Sequence, residues 1–138
     1  KTHKILPPTN PVWDAGKLRG MLANKDNAPA NRIRPAMVLA WMDRVADEVS
    51  IVLSALHLGD VALLHLPAES FLEYQFRAQQ QAQGRFVTTA AYGDGGPWYI
   101  PIKDAYPQGG YEVNVANCSD AVDDVLTRGI REVLRSRL

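Results

Sequence analysis

The feature that most narrows the folding options is a pair of dense apolar runs, residues 50–58 (SIVLSALHL) and 60–66 (DVALLHL), meeting at Gly59 and Asp60. Each run has strand length, and a two-residue connection containing glycine joins strands as a hairpin. Neither run alternates cleanly, which predicts that at least one is buried on both faces. Pro67 closes the second strand. A helix is expected over about 70–83, with Phe71, Leu72, Phe76 and Ala78 inward and Gly84 stopping it. RFVTTAAY, about 85–92, reads as a third strand. Strand, helix and strand in that order make a βαβ unit, so its two strands run parallel and end on one edge of the sheet.

The flanking segments fit around this unit. The opening KTHKILPPTNPVW holds Pro7, Pro8 and Pro11 and has no apolar period, so residues 1–13 are expected to form an extended arm that needs another surface. Asp14 is a natural N-cap for a short helix through Leu18, Met21 and Leu22 to Asn24, and NKDNAPAN loops out after it. A longer helix is expected over 32–49. Ile33, Met37, Trp41 and Val45, widened by Val38 and Val49, form its apolar stripe, with Pro35 in the first turn. Its opposite face, Asp43, Arg44, Asp47 and Glu48, reads as solvent-facing. A long loop rich in Gly, Pro and aromatic residues covers about 93–114. Ser119 then caps a last helix, with Asp120, Asp123 and Asp124 early and Arg128, Arg131, Arg135 and Arg137 late, Glu132 being the one acid among them. Val122, Val125, Leu126, Ile130, Val133 and Leu134 form its buried stripe. The expected class is α/β: a mixed sheet with a βαβ unit flanked by helices, divided into an arm (1–13), a helical part (14–49) and an α/β part carrying active-site loops (50–138).

Composition removes several classes of function. With 138 residues the chain suits one domain, read here as part of a larger catalytic one. Fifteen basic residues balance fifteen acidic ones, so no global field gathers nucleic acid or anionic membrane. Cys118 is the only cysteine, which excludes an internal disulfide and a multi-thiolate zinc site. No apolar run approaches the roughly 18–20 residues of a membrane span. His3, His57 and His65 are few for a self-sufficient metal enzyme. The opening at Lys1, without a signal-like charged and apolar pattern, suggests a processed or trimmed chain.

Parallel strands deliver HLPAES and YGDGGPWY to the same sheet edge, and open α/β sheets bind ligands outside that edge. Topology alone therefore gathers Glu69, Tyr92, Asp94, Trp98 and Tyr99, with Glu69 at the mouth of a helix whose N–H groups favour a carboxylate. Plainer readings stand beside this one. Glu69 can be a first-turn helix acid and Tyr99 a packing residue with a wet hydroxyl. The GDGG run is a flexible turn or an anion cradle, and no lysine-serine/threonine pair follows it. His57 and His65 read as hydrogen-bonded core or edge histidines, Cys118 as inert, and Met21, Met37 and Met42 as core filler.

The segments LGDVALLHLPAESFLEYQ and RFVTTAAYGDGGPWYIPIKDAYPQGGYE resemble the neutral/alkaline (non-lysosomal) ceramidase family, in its bacterial ceramidase-like branch. The resemblance runs from about Leu58 to Glu112, with the KILPPTNP arm and the last helix compatible. It places the chain in the C-terminal part of the catalytic domain. It implies a zinc hydrolase that cleaves the amide of an N-acyl lipid-like, sphingolipid-type substrate. In that family two histidines from earlier in the domain hold the metal, followed by a glutamate in a Gly-Glu-Phe type motif and a tyrosine opening Tyr-x-Thr-Thr-x-Glu-Glu-Tyr. Pro67-Ala68-Glu69-Ser70-Phe71 and the stretch from Tyr99 to Tyr106 stand at those places, which implies Glu69 and Tyr99 as metal ligands. Tyr111, twelve residues beyond Tyr99, stands where the family's tyrosine contacts the substrate amide. Ala68 replaces the usual glycine, Asp104-Ala105 the paired glutamates, and Asp94 a frequent asparagine, and the double threonine is absent. None of the three histidines matches the family's histidine motifs.

The resemblance therefore implies zinc completed by histidines outside this chain, and Tyr111 as the catalytic donor to a developing oxyanion. It also implies Trp98, Tyr92, Tyr106 and Asp94 around the substrate, with secretion or periplasmic export. The expected partners are the N-terminal part of the same domain or another copy of the chain, with no nucleic acid and no transmembrane segment. On its own the chain is expected to be inactive. The alternatives are a non-catalytic interaction or ligand-binding α/β domain using Trp98 and its tyrosines, and an anion- or nucleotide-binding domain using Gly93 to Gly96.

Overall fold

A computed structural model describes residues 1–82 and 84–135. The central hairpin forms as its sequence demands. β2 (Ile51–Leu58) and β3 (Val61–His65) pair antiparallel across the two-residue turn, in the register Leu58 to Val61. Gly59 takes φ +57°, the left-handed conformation that such a turn requires and glycine adopts at no steric cost. After α3 (Glu73–Gln81), the chain returns as β5 (Phe86–Ala90), parallel to β3. This is the βαβ unit, and the fold is α/β with a mixed sheet.

The arm finds its surface within the chain itself. β1 (Thr2–Ile5) adds antiparallel to the free edge of β2, giving a four-stranded sheet in the order β1-β2-β3-β5. Beyond the prolines, Thr9 bridges to Cys118, and the Asn10 N–H donates to the Asn117 carbonyl at 2.8 Å.

One face of the sheet carries the core. Ile5, Ile51, Leu53, Ala55, Ala62, Leu64 and Val87 point inward against α5 (Val122–Leu134) and α3. Gly129 lets α5 press onto the sheet, since a Cβ there would lie 2.5 Å from Leu53 Cδ1 and 2.9 Å from Ile5 Cγ2. Neither hairpin strand is buried on both faces. Val52, Leu56, Leu58, Val61, Leu63 and Phe86 on the other face are between 39% and 65% exposed. Burial alternates along β3 and along β2 up to Leu56, but the pattern is hidden in sequence because most outward positions are apolar too.

Several helix boundaries differ from the sequence reading. α1 (Ala15–Ala23) begins at its Asp14 cap, whose carboxylate accepts from the Lys17 N–H at 2.9 Å. α2 spans Pro29–Ala46, so Pro29 takes the N1 position and Pro35 lies in the second turn, buried. The earlier start gives α2 two buried faces. Pro35, Val38 and Leu39 serve α1, while Trp41 and Val45 serve the sheet. Ile33, Met37 and Val49 are left exposed, as is Met21, and of the three methionines only Met42 packs. α3 starts at Glu73 rather than Ser70 and buries Tyr74 and Ala78, leaving Leu72 and Phe76 outside. Gln83, the expected end of that helix, lies outside the described residues, as does Arg137. Ser119 supplies a backbone carbonyl to the Val122 N–H but no side-chain cap to α5. Asp123 is turned into the protein, where it binds Arg77. No helix among the described residues is long and apolar enough to cross a membrane.

Candidate active site at the carboxyl ends of the parallel strands

Past the ends of β3 and β5 the two segments stay bonded to each other. The Leu66 N–H donates to Ala90 O, the Tyr92 N–H to Ala68 O, and the Gly93 N–H to Leu66 O. A second, two-stranded parallel sheet then forms from β4 (Glu69–Ser70) and β6 (Tyr99–Ile100), in the register Glu69 to Tyr99 and Ser70 to Ile100. Register partners on adjacent strands direct their side chains to the same face, so the carboxylate and the phenol stand side by side. Burial, then the Glu69 carboxylate as acceptor and as charge, raises the Tyr99 hydroxyl above the ordinary phenol range. Glu69 is therefore a strand residue. The helix follows four residues later, and a helix-mouth or first-turn role is excluded.

The backbone is strained at this point in a regular way. Ala68 (φ +50°), Tyr92 (φ +65°) and Trp98 (φ +70°) are left-handed without being glycine, and two of them directly precede Glu69 and Tyr99. Such a conformation costs about 1–2 kcal/mol per residue and persists where the surroundings over-determine it, as at functional sites.

Tyr111 joins the pair. Gly109 and Gly110 (φ +72° and +105°) turn the chain out of a 3-10 helix at Lys103–Gln108 and into the short helix α4 (Tyr111–Val115). The Tyr111 ring then meets the Tyr99 ring edge-on, with centroids 5.8 Å apart at 79°. The residue as a whole is 63% exposed.

Glu69 and Tyr99 form one end of a cleft of about 560 Å³ between α2 and the 92–98 loop. Its lining includes the apolar side chains of Met37, Trp41, Tyr92 and Trp98. Trp98 and Tyr92, the latter 71% exposed, both border this cleft. Tyr106 does not. Its hydroxyl donates to the Cys118 carbonyl at 2.8 Å and is pushed up by burial, so it braces the loop from behind. Cys118 is fully buried, its thiol likewise pushed up by burial.

Asp94 is not free to meet a ligand either. Arg44 grips it with both terminal nitrogens at 2.8 Å, so the supposedly solvent-facing Arg44 locks the loop to α2. Burial alone would raise the Asp94 carboxyl. The Arg44 guanidinium and the Gly96 N–H hold it below the ordinary range instead. Two of the four GDGG amides, and that of Trp98 just beyond, are already engaged by the protein. The Gly96 N–H is taken by Asp94, the Gly93 N–H by Leu66, and the Trp98 N–H by Gly95 O. The end glycines of the run serve close approach, because a Cβ would lie 2.8 Å from His65 Cε1 at Gly93 and 2.9 Å from Trp41 Cε3 at Gly96. His57 bonds the Val133 carbonyl and Arg85, while His65 stands exposed at the sheet edge.

Sequence reasoning missed the polar frame behind the site. Arg34, Asn117, Asn10 and Trp13 tie α2, the arm and residues 115–118 together. The one sequence signal for Arg34 is its position four and seven residues before Val38 and Trp41, both of which are buried. Among the described residues no group of three or more His, Cys, Asp or Glu side chains converges for a metal. No protein-family model, curated protein or solved structure matches this chain.

Proposed function

We propose that this chain carries the glutamate and tyrosine half of a ceramidase-like, zinc-dependent amide hydrolase acting on N-acyl lipid-like substrates. The observation that supports this most is the Glu69–Tyr99 register on β4 and β6, at the sheet edge where α/β proteins hold ligands. One anionic and one phenolic oxygen on a single face suit a divalent cation such as zinc, whose site two histidines from outside the chain would complete. Bound there, zinc supplies a polarised carbonyl and an activated water. The chain's own residues do the rest. Glu69 and Tyr99 hold the cation. Tyr111 presents a hydroxyl beside Tyr99 to the oxyanion that develops on the scissile carbonyl. The apolar cleft between Met37, Trp41 and Trp98 excludes water from an acyl chain.

The outer sheet face fits the same reading. Its exposed row from Val52 to Phe86 is the surface on which the missing part of the domain, or another copy, would lie. A non-catalytic module is favoured by one observation, the outward display of Tyr92 and Tyr111, aromatic groups of the kind enriched where proteins bind partners.

The deciding experiment measures zinc content, phenolate absorbance and N-acyl amide hydrolysis in the polypeptide that unites this chain with the histidine-bearing part, with and without Glu69→Gln. Loss of zinc and of hydrolysis in the variant is the expected result. Unchanged zinc and turnover remove the metal reading and leave the binding module.

A further inference from the structure

Arg34 occupies a position that packing alone does not call for. It leaves α2 and enters a slot between two indoles, 5.5 Å from the Trp13 ring centre and 4.8 Å from that of Trp98. From there its Nη2 donates to the Val115 carbonyl and to Asn117 Oδ1. Val115 is the last residue of α4, which begins at Tyr111. Asn117 in turn donates its Nδ2 to Gly96 O at 2.8 Å and its backbone N–H to Pro97 O at 3.1 Å. A single guanidinium thus touches the helix on which Tyr111 stands, the ring next to Tyr99, and the amide that secures the turn leading to it.

Both supported elements need such an anchor. α4 has five residues, far too few to hold itself as a helix in water. Trp98 holds a left-handed conformation that relaxes unless its ring is trapped. The arrangement also carries a cost, because Nε and Nη1 of Arg34 are buried without a partner. An apolar side chain would fill the slot without that cost. A planar group that stacks on two rings and bonds two acceptors at once is what only arginine supplies.

We infer that Arg34 is a positioning residue, which sets the Tyr99–Tyr111 geometry through Trp98, Asn117 and the carboxyl end of α4. Its effect on catalysis rests on the metal-hydrolase reading above, whereas its effect on the two rings does not. The first test therefore uses the metal-free 138-residue chain and the nuclear Overhauser contact between the Tyr99 and Tyr111 rings. In Arg34→Met that contact is lost while the amides of Leu53 and Leu64 keep their exchange protection. In Arg34→Lys, which keeps the charge but not the fork, it weakens, and tryptophan emission shifts in both variants. A full-strength ring contact in Arg34→Met with the sheet intact overturns the inference. Should that variant not fold, an unaltered contact and emission in Arg34→Lys overturn it equally. In the zinc-loaded whole enzyme, Arg34→Lys lowers kcat about 10- to 100-fold with KM and zinc content unchanged, the usual penalty for losing a residue that orients ligands. Glu69→Gln separates the two ideas, since zinc retained in that variant defeats the metal reading while the ring contact still decides Arg34.

Discussion

Glu69 and Tyr99 are register partners on two-residue parallel strands, and burial together with the neighbouring Glu69 carboxylate raises the Tyr99 phenol above its ordinary range. The folded chain therefore keeps the phenolic proton to higher pH than the unfolded chain does. Its contribution to stability is intact at neutral pH and is lost as pH rises above the ordinary phenol value of about 10 and through the raised folded value. Glu69→Gln removes the charge, so Tyr99 titrates closer to the ordinary value and the alkaline loss of stability shrinks. Ultraviolet titration of the tyrosines, with Tyr99→Phe to assign the component, checks this. An identical Tyr99 titration in Glu69→Gln would mean that the two groups do not communicate.

The meeting of these residues was legible because it follows from chain order. A hairpin turn, a strand, a helix and a strand oblige two segments to emerge together, whatever their detailed conformation. What lay beyond reach was shorter than any period. β4 and β6 have two residues each, too few to alternate, so Glu69 read as the start of a helix. The α2 stripe was misplaced because that helix serves two neighbours, and a single-face pattern describes neither. Asp94, Arg44 and Tyr106 are polar or amphipathic groups whose partners lie far along the chain, and composition does not state which hydroxyl meets a carbonyl and which meets a ligand.

Tyr106 and Tyr111 now separate cleanly. Tyr106→Phe deletes a hydrogen bond to the Cys118 carbonyl and is expected to cost about 1 kcal/mol of stability, and under the proposed hydrolase reading it leaves turnover unchanged. Tyr111→Phe removes the hydroxyl of an exposed residue, leaves stability within about 0.5 kcal/mol, and lowers kcat on the order of 100-fold if it faces the oxyanion. Denaturant midpoints and steady-state rates on both variants read the difference. A swap of the two effects would reassign the donor to Tyr106.

Asp123 fastens the loop that follows Tyr99. It accepts from Arg77, from Thr127 at 3.2 Å and from the Lys103 N–H at 2.7 Å, joining α5, α3 and the segment after β6. Burial pushes its carboxyl up, but Arg77 and the Lys103 amide outweigh that and hold it below the ordinary range. A depressed acid stabilises the fold above the ordinary aspartate value of about 3.9, and this contribution fades as pH falls through the folded value. Asp123→Ala is expected to cost about 2 kcal/mol at neutral pH, below the figure for a fully buried pair because Arg77 keeps 31% of its side-chain surface. The gap to the parent protein should narrow in acid, as urea midpoints at neutral and low pH will report. A gap that is constant with pH would show that the charge of Asp123 is idle.

The outer sheet face makes the last prediction. Leu56 (55% exposed) and Phe86 (65% exposed) project from it, flanked by Val52, Leu58, Val61 and Leu63, with helices covering only the opposite side. A continuous apolar strip of this kind drives association until something covers it. The isolated chain is expected to gain mass with concentration in sedimentation and to bind an apolar dye. Leu56→Lys with Phe86→Lys should abolish both while leaving the folding midpoint nearly unchanged, because substitutions at such open positions stay within about 0.5 kcal/mol. If the metal-hydrolase proposal holds, the same pair should also release the partner segment, and with it the zinc, from the whole polypeptide, which a merely sticky surface would not do. A parent chain that stays monomeric and dye-free at every concentration would assign that face to solvent.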